Sequence, residues 1–389
     1  MQFQLTDEQH ELQETARKFA RAELPELARE MESKDFPVPH DMLRTYGEMG
    51  FLGVNLPEEH GGLGLGHLEA LLVLEEFAQI SNAVAFPVFE ALTGPVRTID
   101  RFGSEAMKAR VLPEVIKGEK VVAVSMSEPD AGTALTDLTT KAVARGDGFK
   151  VNGYKRWTSG GGHSDYYVTY CRMSEEEGAK GIGAVLLEKD MAGMNFGKRE
   201  ELMGFRGIPT ADIAIEDVQV PGANVIIGAG GFGKLMSAFG LERCGNATQA
   251  LGLAAAALEQ ALEYTQEREA FGKPIVDFQA VQMKLAEMAM KVDSARLLIH
   301  RAAVNASAQP GALPSVYESS LAKCYANEIV REVTALGMQV MGGYGYHKEY
   351  GMEQRVRDSF AWGIAGGAID VQKTNIAAAM VGRRFNQRS

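Results

Sequence analysis

The stretch VVAVSMSEPDAGTALTDLTTKAVARGDGFKVNGYKRWTSGG, residues 121–161, is where the chain changes character. An apolar run from Val121 to Val124 leads through Ser125, Met126 and Ser127 into Glu128-Pro129 and a small-residue turn over Asp130–Thr133. Then come Thr140 to Ala144, a turn at Gly146-Asp147-Gly148, alternating Phe149 and Val151, an Asn152-Gly153 turn, and Tyr154 to Trp157. β-Branched and aromatic residues alternating between Gly, Asp and Asn punctuation predict short strands joined by tight turns. Hydroxyls gather at Ser125, Ser127 and Thr133, and Trp157 is followed at once by Thr158, Ser159 and Gly160. Glycine lets backbone approach a ligand, hydroxyls satisfy heteroatoms, and an indole covers a ring face. The stretch therefore suits a flat, polar, phosphate-bearing cofactor.

On either side the pattern is helical. Upstream, Thr6 to Gln9 fits a capping box, and Leu12, Ala16, Phe19, Ala20 and Leu24 recur at helical spacing behind it. His40–Gly50, Leu68–Ile80 and Ala106–Lys117 read as further helices. Downstream, helices are expected over Phe232–Gln266, Asp277–Ala306, Pro314–Met341 and Ala368–Phe385. The chain is thus expected to be α+β: an N-terminal helical domain (1–119), a middle β-domain (120–230) and a C-terminal helical bundle of the four-helix type (231–389). The glycine-rich Gly228–Gly233 lacks the strand context and downstream acid of a dinucleotide fingerprint, so it reads as a loop into the next helix.

A length of 389 residues with 46 % hydrophobic content is enough for two or three domains. The net charge of −11 argues against nucleic acid or an anionic membrane as the main partner. Cys171, Cys244 and Cys324 are scattered, which points to a reducing compartment rather than a disulfide framework. The seven histidines show no ligand spacing, so no metal site is expected. No apolar run reaches the length of a membrane span, and neither end carries a targeting signal. A cytoplasmic protein is expected.

SMSEPDAGT and KRWTSGG resemble the two flavin-binding signatures of the acyl-CoA dehydrogenase family, T-E-P-x-A-G-S-D and K-x-W-I-T-N-G. The run from Arg268 to Gln279 is close to the family's R-x-x-F-G-x-P-I-x-x-F-Q, and Gln339–Gly345 to its Q-x-x-G-G-x-G. Read without the resemblance, the first is a helix–turn–helix corner and the second a helix end closed by glycine. The resemblance implies FAD held by Met126, Ser127, Thr133, Trp157, Thr158 and Ser159, with Arg268, Phe271, Gln279, Gln339, Gly342 and Gly343 reaching the flavin nucleotide of a neighbouring subunit. Ala368 and Asp370 replace a flavin-contacting Thr and a Glu/Gln. It also implies a homotetramer and an electron-transfer flavoprotein as electron acceptor.

The final segment departs from the family. Most members read Y-E-G-T there and use the Glu as catalytic base, whereas here Ala365-Gly366-Gly367-Ala368 puts glycine in its place. Phe239–Arg243 matches a second segment, where isovaleryl-type and long-chain-type members carry their glutamate, and here it holds Glu242. On its own Glu242 also fits a solvated helix residue or a first-turn acid favoured by the helix dipole. The resemblance makes it the base that takes the α-proton of an acyl thioester while the β-hydrogen leaves as hydride to the flavin. Gly366 would supply the amide that binds the thioester oxygen. Arg243 would place the CoA end and Thr133 would touch substrate. Phe86 and Phe89 fall near the family's acyl-pocket helix, and small residues at Ala365–Ala368 leave space for a branched, cyclic or aryl acyl group. Glu90 reads as a surface residue. An enoyl-CoA reductase or a non-redox desulfinase on the same flavin bed stays open beside the dehydrogenase.

Overall fold

In the computed structural model, which describes residues 4–385, six α-helices precede a sheet and six follow it, one of the latter a single turn. The first six are α1 (Asp7–Lys34), α2 (His40–Glu48), α3 (His67–Ile80), α4 (Asn82–Leu92), α5 (Pro95–Phe102) and α6 (Glu105–Ile116). Thr6 starts α1 with the expected capping box, its hydroxyl accepting from Gln9 N while the Gln9 amide returns to Thr6 N. The periodicity did not announce α4 or α5: α4 is apolar and buried nearly all round, so it lacks the polar stripe that marks a surface helix, and α5, with eight residues, is too short for its pattern to repeat.

The strands are β1 (Val122–Ser125), β2 (Lys141–Arg145), β3 (Gly148–Ser159), β4 (Tyr166–Arg172), β5 (Ile182–Glu188), β6 (Met194–Phe196), β7 (Thr210–Pro221) and β8 (Val225–Ile227). They form one sheet in the order β6-β7-β3-β2-β4-β5-β8, with β1 parallel to β4. The expected turn at Asn152-Gly153 is not there: β3 runs straight through it. The irregularity falls on the partner strand, where Val151 pairs with Val218 and Gly153 with Ile215, leaving an extra residue in β7. Asn152 holds that bulge, exchanging hydrogen bonds of 2.9 and 2.8 Å with Asp217, whose φ is +53°. A second irregularity between Lys155 and Thr158 gives Trp157 a φ of +60° and turns its indole outward, 53 % exposed.

Strand β4 is buried on both faces. Tyr167 and Cys171 enter the core of the β-domain, while Tyr166, Val168 and Tyr170 enter the helical core, as a period of two requires. The Tyr170 ring thereby lies 6.4 Å edge-on from Phe239 of α7 (Phe232–Glu267).

Helix α7, 36 residues long, is the axis on which the helical layers pack. Two glycines permit its close crossings: a Cβ on Gly245 would overlap Thr93 Oγ1, and one on Gly252 would overlap Ala78 Cβ. After it come the short strands β9 (Glu269–Ala270) and β10 (Lys273–Pro274), then α8 (Gln279–Asn305), α9 (Val316–Met341), the single-turn α10 (Gly343–Tyr346), α11 (Met352–Ser359) and α12 (Ile369–Val381). The last helix stops at Val381 rather than reaching Phe385, because Gly382 adopts a φ of +74° and caps it. Three cysteines are buried and free, and burial pushes the Cys171 and Cys244 thiols up to about 12. Among the described residues no helix is long and apolar enough to cross a membrane.

Candidate active site

The loop after β1 is pinned by a charge pair that the sequence reading passed over. Glu128 Oε1 receives Lys155 Nζ at 2.8 Å and Thr140 N at 3.0 Å, and Oε2 receives Thr139 N and its hydroxyl at 2.6 and 2.7 Å. Lys155 is fully buried in β3 and also donates to Met126 O at 3.0 Å, while Arg156 N donates to Ser127 O at 2.9 Å. Burial alone would raise the Glu128 carboxyl, but the Lys155 charge and these donors hold it down at about 2. Burial drags Lys155 below the usual lysine range, with Glu128 pulling the other way. The only clue was a Glu in one signature and a Lys in the other.

This anchoring presents Met126, Ser127, Thr133, Trp157, Thr158 and Ser159 together. Among the described residues, the backbone N–H groups of Met126, Ser127 and Thr133 have no acceptor, and the buried Thr158 hydroxyl has no partner. The Trp157 indole is stacked by Arg156 at 4.2 Å, and Asp212 holds both the Arg156 guanidinium and the Trp157 N–H. Free amides, hydroxyls and an outward ring fit a flavin.

The C-terminal signature residues form a second group. Arg268 ends α7 and lies 5.7 Å over the Tyr344 ring, beside Gly342 and Gly343. Phe271 has a φ of +53°, packs edge-on to Phe278 at 6.0 Å and is 97 % exposed. Gln279, Gln339 and Asp370 are exposed as well, and Ala368 is half-buried at the start of α12. No hydrogen bond joins this group to the first among the described residues. A stripe of exposed Met283, Met290, Leu297 and Val304 runs down α8 at seven-residue spacing.

The third group lies inside the helical core. Glu242 is 9 % exposed in the third turn of α7, so it is neither solvated nor a first-turn acid. Gly366 has a φ of +62°, and a Cβ built on it would lie 4.0 Å from Glu242 Oε1, 3.8 Å from Lys323 Nζ and 3.2 Å from Asn246 Nδ2. Two segments more than a hundred residues apart therefore meet at one notch. The Gly366 N–H donates to no protein group. Burial raises the Glu242 carboxyl to about 7, opposed by Arg243 and Lys323.

Lys323, which the sequence reading missed, is fully buried in α9 and donates to Trp362 O at 2.9 Å and Ala365 O at 2.8 Å. It holds the turn that carries Gly366. Burial, and next Arg243, lower its ammonium to about 7, with Glu242 acting against them. Asn327 and Asn246 extend the polar seam, bonded at 2.9 Å. The signal was a Lys and an Asn, four apart, on an α9 face otherwise made of buried small residues. Arg243 is buried too, and its Nε and Nη1 meet no acceptor.

Aromatic rings wall this site. Trp362 sits 5.2 Å from Phe89, 4.9 Å from Phe205 and 6.5 Å from Phe86, its N–H fixed on Asn82 at 2.8 Å. Glu90, expected at the surface, is 7 % exposed on α4, and its carboxyl is raised well above the usual range by burial and by Glu242. A single acid in an apolar run gives no sign of which way it points; here both flanks of α4 are covered. Away from this site, Glu59, His60 and Glu105 come together as possible cation ligands, with both carboxylates exposed.

Models of the acyl-CoA dehydrogenase N-terminal, middle and C-terminal domains match residues 6–119, 123–218 and 229–381. The chain is 34 % identical over 392 residues to a 3-sulfinopropanoyl-CoA desulfinase of Paraburkholderia xenovorans (strain LB400), covering 99 % of each. It is 35 % identical over 386 residues to an acryloyl-CoA reductase (NADH) of Anaerotignum propionicum, covering 98 % of this chain and 97 % of that one. Its fold matches that of butyryl-CoA dehydrogenase from Megasphaera elsdenii with a TM-score of 0.93 and 32 % identity, covering 98 % of this chain and 100 % of that one.

Proposed function

The chain belongs to the acyl-CoA dehydrogenase family, and from that premise we propose that it is an FAD-dependent dehydrogenase that desaturates an acyl-CoA thioester between its α and β carbons. The observation that carries this reading is the meeting of Glu242 with the notch at Gly366, 4.0 Å from Oε1 to the position a side chain would take. The carboxylate missing from the final segment is replaced from α7 at the same place.

Glu242 takes the α-proton. Its raised acidity range, at about 7, makes it a competent base near neutrality, since a carboxylate in its ordinary range would be too weak to hold that proton. The Gly366 N–H, without another acceptor among the described residues, donates to the thioester oxygen and stabilises the charge that develops there. Arg243, with two unpaired nitrogens, draws in the polar CoA arm, and Thr133, exposed on the loop after β1, touches substrate. Phe86 and Phe89 enclose the acyl group, and Ala365 to Ala368 leave room for branching, a ring or an aryl group. Bound FAD supplies the hydride acceptor. The Met126–Thr133 loop and the Trp157–Ser159 bulge hold it, and the Arg268, Phe271, Gln279, Gln339 and Gly342-Gly343 group completes the site from another subunit of a homotetramer. The exposed α8 stripe supports such an assembly. An electron-transfer flavoprotein takes the electrons onward, and we place the protein in the cytoplasm.

Anaerobic flavin bleaching with a panel of branched, cyclic and aryl acyl-CoA thioesters tests this. Wild type bleaches with one class, and Glu242→Gln does not. Binding without bleaching overturns desaturation in favour of the second reading, a non-redox β-elimination or an enoyl reduction, which the 34–35 % identity to a desulfinase and a reductase supports.

A further inference from the structure

Glu90 is a buried acid beside Glu242 that the chemistry above does not use. Among the described residues its side chain makes no hydrogen bond and no ion pair, although only 7 % of the residue is exposed. Buried carboxyls ordinarily have partners, and one without them marks a place where a partner arrives or a cost is borne for function. Its position on α4 says what that partner would meet. Phe86, Phe89, Glu90 and Thr93 fall on one face at spacings of three and four. Phe89 and Thr93 of that face touch α7 at Gly245, three residues beyond Glu242. Phe86 and Phe89 face Trp362, four residues before Gly366. Glu90 therefore belongs to the wall of the pocket that holds the reacting acyl group.

The charges around it decide its protonation. Glu242 is faced by two cations, Arg243 and Lys323. Glu90 is faced by the Glu242 carboxyl and the Tyr167 phenol and by no cation. Two neighbouring buried carboxyls do not both ionise, and the charge settles where the cations are. When Glu242 is the anion that acts as base, Glu90 keeps its proton. A neutral carboxylic acid presents an O–H donor, and this one has no acceptor.

We propose that Glu90 is a specificity-determining residue whose carboxylic acid donates a hydrogen bond to a neutral oxygen in the tail of the acyl group, beyond the β-carbon, so that the substrate class is an oxygen-bearing acyl-CoA rather than a pure hydrocarbon one. The inference rests on the reading of this pocket as the acyl site. It disfavours a tail ending in an ammonium, which would need Glu90 ionised. The sulfur- or carboxylate-terminated tails of acidic acyl groups would be placed beside a second acid with no cation on α4 to meet them.

The test uses FAD-loaded holoenzyme and three kinds of CoA thioester of one shape: 3-cyclohexylpropanoyl, the matching oxane-ring acyl groups with the ring oxygen at each position, and the matching 4-piperidinyl acyl group. Dissociation constants are measured by titration calorimetry, and bleaching separately. Wild type binds one oxane thioester about fivefold to tenfold tighter than the cyclohexyl one, the worth of one buried hydrogen bond. Glu90→Leu reverses the order, while Glu90→Gln, whose amide still donates, retains it and controls for folding. Equal or tighter binding of the cyclohexyl thioester by wild type overturns the proposal, as does preference for the piperidinyl thioester. A preference that survives in Glu90→Leu overturns it too. If the oxane preference holds but no flavin bleaches, the proposal stands and the dehydrogenase reading falls; if no thioester binds at all, both fall.

Discussion

Two buried charge clusters, one in the sheet and one in the helices, contain the same residue types and are built on opposite terms. In the sheet, both Glu128 oxygens are filled by Lys155, Thr139 and Thr140, and Lys155 spends its remaining capacity on Met126 O. In the helical core, among the described residues, the Glu90 carboxyl has no partner, Arg243 leaves two nitrogens unpaired, and the hydroxyl of Tyr170, entering from β4, has none. A saturated pair fixes a loop and has nothing left for a ligand. An unsaturated one holds its groups at a cost in stability that a ligand can recover. Saturation, more than burial, separates the part that positions from the part that reacts.

The contrast can be broken in order of size. Glu242→Gln removes the proposed base, and bleaching under substrate saturation should slow by about 10³- to 10⁴-fold. Its unfolding midpoint in urea should hold or rise, because an unsatisfied acid has been neutralised. Lys155→Met does the reverse. Leaving Glu128 buried without its cation should cost roughly 3–5 kcal/mol of stability and release bound flavin, and pairing it with Glu128→Leu should recover much of the loss.

Acidity sharpens the same contrast. The Glu242 carboxyl sits at about 7 in the fold against 4.5 in an unfolded chain, so the native state holds the extra proton between those values. Stability from this group is intact below about pH 4.5 and falls as pH rises to 7, by roughly 3 kcal/mol in all. Glu90 acts in the same direction. Glu128, held at about 2, acts oppositely: its contribution is present above the ordinary carboxylate range and is lost as pH falls toward 2. Urea midpoints of Glu242→Gln should therefore be flatter between pH 5 and 8 than those of wild type, and the bleaching rate of wild type should rise through pH 7. The smallest effect is expected from Gly366→Ala. A φ of +62° costs a side chain about 1 kcal/mol, and the new methyl presses on Asn246 at 3.2 Å, so KM should rise several-fold with little change in thermal midpoint.

The order of helices, sheet and helices was plain in the sequence because hydrophobic period changes from 3.6 to 2 and back at Val121 and Phe232. Gly366 and Glu242 were legible as two departures from a pattern, and the structure brings the two residues to one notch. What stayed hidden depended on contacts between elements. Asn152-Gly153 looks like a turn unless the Asp217 that bonds it is known to lie on the neighbouring strand. Glu90 and Lys323 look like surface charges until α4 and α9 are seen to be covered on both sides. Local spacing reports a residue's neighbours on its own element, and these residues take their meaning from others.

The separation between the Trp157 bulge and the outlying Phe271 has a genetic consequence. If one chain contributes the first group to a cofactor site and another chain the second, two lesions in different copies need not be additive. A variant damaged at Ser159 and one damaged at Arg268 are each inactive alone, yet a mixed pair contains one site with both halves intact. Coexpression of the two should restore flavin and activity in part, whereas placing both lesions on one chain and mixing with neither should restore nothing.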